Sequence, residues 1–243
     1  MERGSLQARR ERLTQLVPKV GPVAFARDRV LPVVPALGSL LPEAGLVRGS
    51  IVGCQGGTAL SVALATVAEA SAAGSWLACV GLPSLGLRAA EELGIALERL
   101  VMVADSADLS EASLANMMSA LIDGFDLIVL RGTPAIGIAT ARRLQARLQA
   151  RGAVLVVVGN PGPFICDVTI TGLGSQWEGL GDGSGRLARR RLALSATGRR
   201  SPRVREIEVW LPGANGGIEP TASPPATEMA TGRGSVVAFL PTG

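Results

Sequence analysis

Between about residues 31 and 211, short apolar runs alternate with segments in which apolar positions recur at helical spacing. The runs GSIVGC, SWLACVGL, LERLVMVAD, FDLIVLRG and AVLVVVGN predict buried strands. The segments TALSVALATVAEASAAG, GLRAAEELG, SEASLANMMSALIDG and ATARRLQARLQARG predict helices between them, with Ser110 as an N-cap and Gly94 as a stop signal. Continuous Val/Ile/Leu strands separated by helices favour a mostly parallel sheet that is covered on both faces.

The pattern changes after Pro163, where apolar and polar residues alternate and glycines separate the runs. This alternation predicts an antiparallel extension of the sheet. Residues 213–243 are rich in Pro, Gly, Ser and Thr and predict a flexible tail. Residues 1–30 contain a short amphipathic helix pattern and predict an N-terminal helix or linker. The predicted α/β core therefore spans residues 31–212.

Composition excludes several classes of enzyme. The chain contains no histidine, which excludes Ser-His-Asp and Cys-His catalysis and most zinc sites, and it also contains no tyrosine. Its three cysteines lie singly in apolar stretches and predict buried thiols. No apolar run is long enough to span a bilayer, and the N-terminal residues are too charged for a signal peptide. We expect a cytoplasmic protein that does not associate with a membrane and that binds no metal or cofactor.

The stretch IVGCQGGTAL has the form of a phosphate-binding loop, because an apolar strand leads through glycines into a helix. A working loop reads G-x-x-x-x-G-K-[ST], in which amides hold the phosphates, the lysine neutralises them and the hydroxyl binds magnesium. Counted from Gly56 and Gly57, Ser61 replaces the second glycine, Val62 the lysine and Ala63 the hydroxyl. No lysine follows Lys19. The sequence predicts a scaffold without the chemistry.

The segment LPEAGLVRGSIVGCQGGTAL resembles the lead-in of RecA-type recombinase cores. The resemblance implies a RecA-like three-layer fold. It places Leu82 at the position of the catalytic glutamate and Arg131 at that of the magnesium-binding aspartate, so we expect an inactive ATPase with no catalytic residue. The alternative is a divergent ATPase in which Arg48 or Arg131 replaces the lysine.

An arginine run follows in the later part of the chain and contains no acidic residue. Such a charge density predicts a surface for the phosphates of single-stranded DNA, with Trp177 and Trp210 as the nearby aromatic residues. Contact with an acidic partner and a solvated face are the alternatives. The run consists of Arg186, Arg189, Arg190, Arg191, Arg199, Arg200, Arg203 and Arg205.

A more specific resemblance covers about residues 31–212, and VGLPSLGLRAAEELGIALERL carries most of it. This block is similar to the actinobacterial ImuA-prime proteins. The resemblance implies a RecA-like accessory factor of a DNA-damage-induced mutasome for translesion synthesis and mutagenesis. The implied partners are ImuB, an inactive relative of Y-family polymerases, and through it an error-prone C-family polymerase. A regulator that caps RecA filaments is a further alternative.

The chain ends in an apolar patch beyond the predicted tail. An apolar segment behind a polar linker is typical of a docking peptide that orders on binding. We expect Val236, Val237, Phe239 and Leu240 to be its anchors on ImuB.

Overall fold

The computed structural model describes residues 29–104, 110–132, 135–180, 185–199 and 201–221. Its strands are β1 (Val30–Pro32), β2 (Gly45–Val47), β3 (Ile51–Gln55), β4 (Leu77–Val80), β5 (Leu100–Val103), β6 (Leu127–Arg131), β7 (Val154–Val158), β8 (Val168–Leu180), β9 (Gly185–Gly198), β10 (Ser201–Trp210) and β11 (Glu219–Pro220). Its helices are α1 (Pro35–Gly38), α2 (Ala59–Ala72), α3 (Leu87–Glu92), α4 (Glu111–Gly124) and α5 (Ile138–Arg151), with single 3-10 turns at Pro42–Ala44 and Leu97–Arg99.

Nine of these strands form one sheet in the order β11-β10-β9-β8-β3-β7-β6-β4-β5. The strands from β8 to β5 in this order are parallel, and β9, β10 and β11 extend the sheet antiparallel beyond β8. The predicted α/β class, with a mostly parallel sheet and an antiparallel extension, is confirmed. A separate pair, β1 with β2, was missed by the sequence analysis because its strands have three residues each.

Two apolar clusters cover the two faces of the sheet, as the continuous strand pattern requires. On one face α2 packs on Val52, Val129 and Val156. On the other face α4 and α5 pack on Ile128 and Leu155. Alternate residues of the same strands therefore enter opposite clusters, and both faces of the sheet are buried.

Polar contacts hold α4 and α5 side by side. The Glu111 carboxylate accepts hydrogen bonds from the Gly137 amide at 2.9 Å and from the Thr140 hydroxyl, so one helix caps the start of the next. These bonds lower the pKa of Glu111. At the other end, the Asp123 carboxylate pairs with Arg147 and Arg151. The predicted Ser110 cap of α4 is confirmed, because its Oγ accepts the Ser113 amide.

The predicted boundary between core and tail at residue 213 is wrong. Residues 213–221 make a turn and return to the sheet, where β11 pairs with the end of β10. The Thr221 hydroxyl donates to the Glu208 carbonyl oxygen at 2.9 Å, and the Gly213 amide to Gly217 at 2.7 Å. Main-chain bonds and a tight glycine turn order this piece in spite of its polar composition. In the part of the chain that the structure describes, no helix is both long and apolar enough to cross a membrane.

Candidate nucleotide loop and arginine arm

The loop after β3 is shorter than a phosphate loop requires. Strand β3 ends at Gln55 and helix α2 begins at Ala59, so only three residues separate them. The Ala59 amide already donates to the Gly56 carbonyl oxygen at 3.1 Å, and the Val62 amide to Thr58 at 3.0 Å. In a phosphate loop the residues after the first glycine stay non-helical so that their amides surround the phosphates, and the helix begins at the G-K-[ST] end of the motif. In this chain the helix already begins at Ala59, the fourth place of that motif.

The residues that replace the lysine and the hydroxyl are part of the hydrophobic core. Val62 is 1 % exposed and Ala63 is fully buried, both in the cluster under the sheet. Ser61 lies beside them on α2 and is half-buried. In the alignment proposed from the sequence, the position of the phosphate-binding lysine is therefore occupied by Val62 inside the protein and does not lie over the loop.

Strand β8 lies directly against this loop. A Cβ at Gly56, where φ is +89°, would lie 3.1 Å from the Gly172 carbonyl oxygen. A Cβ at Gly172 would lie 2.5 Å from the Thr58 hydroxyl oxygen. That hydroxyl is buried and has no hydrogen-bond partner among the described residues. These glycines thus allow two backbones to approach closely, whereas Gly57 is exposed with open space around its Cα.

The positions assigned to the two acids carry no carboxylate. Leu82 follows β4, is 6 % exposed and lies in the same apolar cluster as Val62. Arg131 ends β6 at the carboxyl edge of the sheet, where its side chain is exposed. The segments that follow β3, β4, β6 and β7 begin with glycines and contribute no acidic residue to this edge.

Arg48 lies at the opposite edge of the sheet. It precedes β3, and its guanidinium donates to the Asp126 carboxylate at 3.1 Å and to the Gly152 carbonyl oxygen at 3.3 Å. The five residues of β3 separate it from the loop by about 16 Å. Arg48 is therefore out of reach as a replacement for the lysine. Asp126 also accepts the Trp76 amide, and its role is to join the amino ends of the strands.

The antiparallel extension projects beyond the carboxyl edge as an arm. Strand β8 pairs with β3 only as far as Thr171, and its remaining residues pair with β9 alone. We define the arm as residues 174–180 of β8 with residues 185–193 of β9. It leaves the sheet on the same edge as the shortened loop, and Trp177 and Leu187 on it are 42 % and 48 % exposed.

Aromatic rings and acids from neighbouring strands meet the arginines of the arm. Arg189 lies 4.0 Å over the Trp210 ring and pairs with Glu178 at 2.8 Å. Arg190 lies 5.2 Å from the Trp177 ring and donates to the Leu211 carbonyl oxygen at 2.7 Å. Its partial burial lowers its pKa from the ordinary value.

Arg191 pairs with Glu208 at 3.6 Å and donates to Gln176, while Arg186 is exposed towards the end of the arm. The sequence run lacks acidic residues, but the cross-strand register supplies Glu178 from β8 and Glu208 from β10. The expected uncompensated repulsion is therefore partly relieved within the chain.

The arginine run is not one surface. Arg199 follows β9 at the amino edge, and Arg203 and Arg205 lie near the start of β10. Eight residues of extended strand separate Arg190 from Gly198, which corresponds to about 26 Å. Arg205 is half-buried and donates to the Leu40 carbonyl oxygen at 3.4 Å. The prediction of a single phosphate surface is corrected to two basic regions at opposite edges of the sheet.

The remaining predicted residues lie outside the described part of the chain. These are Arg200 in the arginine run and the docking anchors Val236, Val237, Phe239 and Leu240. The proposed N-terminal helix or linker, residues 1–30, also falls outside it, apart from residues 29 and 30.

Known structures resemble this fold. The KaiC-like protein PH0186 from the archaeon Pyrococcus horikoshii OT3 superposes with a TM-score of 0.54, covering 79 % of this chain and 98 % of that one. The identity of 14 % means that this likeness concerns the fold alone. The core therefore has a RecA-like fold, as the sequence resemblance implied.

Sequence comparison identifies relatives of the core. The uncharacterized protein Rv3395c of Mycobacterium tuberculosis is 39 % identical over 100 residues, which are 41 % of this chain. The match spans 47 % of that protein, so about half of its length is aligned. The sequence profile of the MT3502 N-terminal domain matches residues 39–163, from before β2 to beyond β7. Because this match spans more than half of the 243 residues, the chain belongs to the MT3502 N-terminal domain family.

Proposed function

We propose that the protein is a non-catalytic RecA-like adaptor of a DNA-damage-induced mutasome, which binds ImuB and contacts single-stranded DNA. One observation carries the non-catalytic part: α2 begins at Ala59 and buries Val62 where a RecA-type ATPase presents its lysine. The mutasome and its partners, including the error-prone C-family polymerase, follow from the resemblance to ImuA-prime proteins.

Loss of the nucleotide contacts supports this proposal energetically. Each charge-assisted hydrogen bond to a phosphate contributes roughly 1.5–3 kcal/mol, and a magnesium ion adds further contacts. Without the lysine and both acids, we expect the affinity for ATP to fall below the micromolar range. The retained fold then serves as a rigid body that carries interaction surfaces.

The arm supports contact with single-stranded DNA. Guanidinium groups beside an exposed tryptophan form a stacking and phosphate-tracking surface of the kind that binds single strands without sequence preference. Trp177 is the exposed ring, Arg190 lies 5.2 Å from it, and Arg186 is exposed further along the arm. The charge of the arm is moderate, because Glu178 and Glu208 offset Arg189 and Arg191.

Two arm variants test DNA contact by fluorescence anisotropy with a labelled oligothymidine at several salt concentrations. Changing Arg189, Arg190 and Arg191 to alanine should flatten the dependence of affinity on salt, since fewer counterions are released. Trp177→Ala should weaken binding about tenfold, which corresponds to one lost stacking contact.

The matched control replaces three exposed arginines elsewhere, Arg88, Arg142 and Arg143, with alanine. It removes the same charge from α3 and α5 and should leave the affinity nearly unchanged. If the control weakens binding as much as the arm triple variant, DNA responds only to net charge and the arm is not its site.

Association with ImuB is tested by pull-down with the purified full-length chain. Phe239→Ala should weaken association most among single changes in the C-terminal patch, because aromatic anchors dominate small interfaces. Ala238 is the neighbouring control, and Ala238→Ser should have little effect. Equal recovery of ImuB by the wild type and by Phe239→Ala would reject the docking peptide.

A regulator of recombinase filaments is the second candidate. The RecA-like fold supports it, since a subunit without turnover can end a filament. An added excess of this protein should then shorten RecA filaments on single-stranded DNA in electron micrographs. Unchanged filament lengths together with ImuB recovery favour the adaptor.

A further inference from the structure

A cleft lies at the amino edge of the sheet, at the other end of β3 from the shortened loop. It encloses about 560 Å³, within the range of about 300–1,000 Å³ typical of ligand sites. Strand β2 and the turn into β3 line one side, and the end of α5, the start of β8, the last residue of β9 and Arg205 of β10 line the others. We name it the amino-edge cleft. Its polar and charged lining side chains are Arg29, Glu43, Arg48, Ser50, Gln149, Asp167 and Arg205.

Two guanidinium groups of this cleft have donors to spare. Arg48 is engaged by Asp126, and one Asp167 carboxylate oxygen accepts the Ile51 amide at 3.0 Å. Arg29 and Arg205, in contrast, make no ion pair within the described residues, and the contact of Arg205 with Leu40 is a long 3.4 Å hydrogen bond.

A small second cavity adjoins the cleft through Arg205 and adds Arg203. The two cavities together are thus lined by three guanidinium groups without an ion pair among the described residues and by the carboxylates of Glu43 and Asp167, which leaves a net positive charge of about one.

The backbone at the rim is held in an unusual conformation. Glu43 and Ala44 have φ values of 57° and 52°, in the left-handed region that residues other than glycine rarely adopt. They lead directly into β2, all three residues of which line the cleft. Among the described strands β2 pairs with β1 alone, so one of its edges carries no strand. Backbone strain of this kind persists only where the surrounding structure holds it, and it is common at ligand-binding sites.

We propose that the amino-edge cleft binds an acidic peptide segment of a partner protein. Carboxylates of the peptide pair with Arg29 and Arg205, and its extended main chain lies along β2, as in recognition by strand addition. Charge complementarity selects this occupant over the N-terminal segment of the chain itself. Residues 1–28 carry six basic and three acidic side chains, and would bring positive charge to a positive cleft. The inference goes beyond the proposed function and uses neither the loop nor the arm.

The test selects peptides from a displayed random octapeptide library against the full-length protein and measures their affinities by anisotropy. We expect enrichment of peptides with at least two Asp or Glu residues. Arg29→Gln with Arg205→Gln should weaken these peptides at least tenfold, and Arg29→Glu, at an exposed position away from the core, should also weaken them. The charge-matched control, Arg88→Gln with Arg142→Gln, should stay within twofold of wild type.

Three results would overturn the proposal. One is a selection without acidic enrichment, and another is an unchanged affinity in the cleft variants. The third is loss of peptide binding in Trp177→Ala, which would assign acidic peptides to the arm. The cleft variants should retain wild-type affinity for single-stranded DNA. Failure of the cleft is thereby distinguished from failure of the proposed DNA contact.

Discussion

Introducing the lysine of a phosphate loop should destabilise this protein and should not restore ATPase activity. Val62 is 1 % exposed and packs in the cluster between α2 and the sheet. Val62→Lys places an ammonium group in that cluster. Burial disfavours the charged form, so the lysine pKa in the folded protein should fall well below its ordinary value.

The magnitude follows from two contributions. Holding a lysine neutral at pH 7, against an ordinary pKa near 10.4, costs about 4.6 kcal/mol at 1.36 kcal/mol per pH unit. Fitting a longer side chain into a filled core costs about 1–3 kcal/mol more. Val62→Met is the control, because methionine is similarly long and carries no charge. The two variants should therefore differ by up to about 4.6 kcal/mol, a large part of the roughly 5–15 kcal/mol that stabilises a typical protein.

Urea unfolding of both variants between pH 7 and pH 10 measures this difference. Since the unfolded lysine binds a proton that the folded one does not, the free energy of unfolding of Val62→Lys should rise with pH and approach that of Val62→Met. Equal stability at pH 7 with no pH trend would mean that the ammonium reaches water. The position would then lie over the loop instead of in the core, and the reasoning would be refuted.

Three further predictions concern other parts of the fold. Burial raises the pKa of Cys54 to about 12. Iodoacetamide at pH 8 should therefore react with the half-buried Cys166 before it reacts with the buried Cys54. Labelling of Cys54 in the folded protein would contradict its position in the core. Hydrogen bonds lower the pKa of Glu111 in the folded protein. The contribution of Glu111 to stability should therefore be complete above the ordinary carboxylate pKa and be lost as the pH falls through the lowered pKa. Melting curves of Glu111→Gln should show less loss of stability in acid than those of the wild type. Deletion of residues 213–243 should lower the melting temperature because it removes β11. Deletion of residues 222–243 keeps β11 and should leave the melting temperature unchanged. Equal melting temperatures of the two truncated proteins would reject the pairing of β11 with β10.

Local pattern was sufficient to predict the parallel core. Its strands are continuous apolar runs because both faces are buried, and the helices between them have clear boundaries such as Ser110. The loss of nucleotide chemistry in the loop after β3 could also be predicted, since the absence of the lysine and of the two acids is evident from the residue types. The sequence alone did not show that Val62 and Leu82 are buried in one cluster, because this depends on how α2 packs against the segment after β4.

Long-range pairing explains what the sequence did not reveal. Nothing in the arginine run indicates that Glu178 and Glu208 lie opposite it, because the register of β8, β9 and β10 decides this. The length of β9 separates the run into two regions, and a contiguous stretch of sequence does not show that. The amino-edge cleft likewise combines β2, the end of α5, the last residue of β9 and Arg205 of β10, which are far apart in the chain.

Titration of the full-length protein with magnesium and ATP in a calorimeter tests most directly whether the RecA-like fold has lost its nucleotide chemistry. The shortened loop, the buried Val62 and the absence of an acid at Leu82 lead us to expect no binding heat at micromolar concentrations and no hydrolysis above background. Magnesium-dependent binding in the micromolar range would contradict this and would identify the protein as a divergent ATPase.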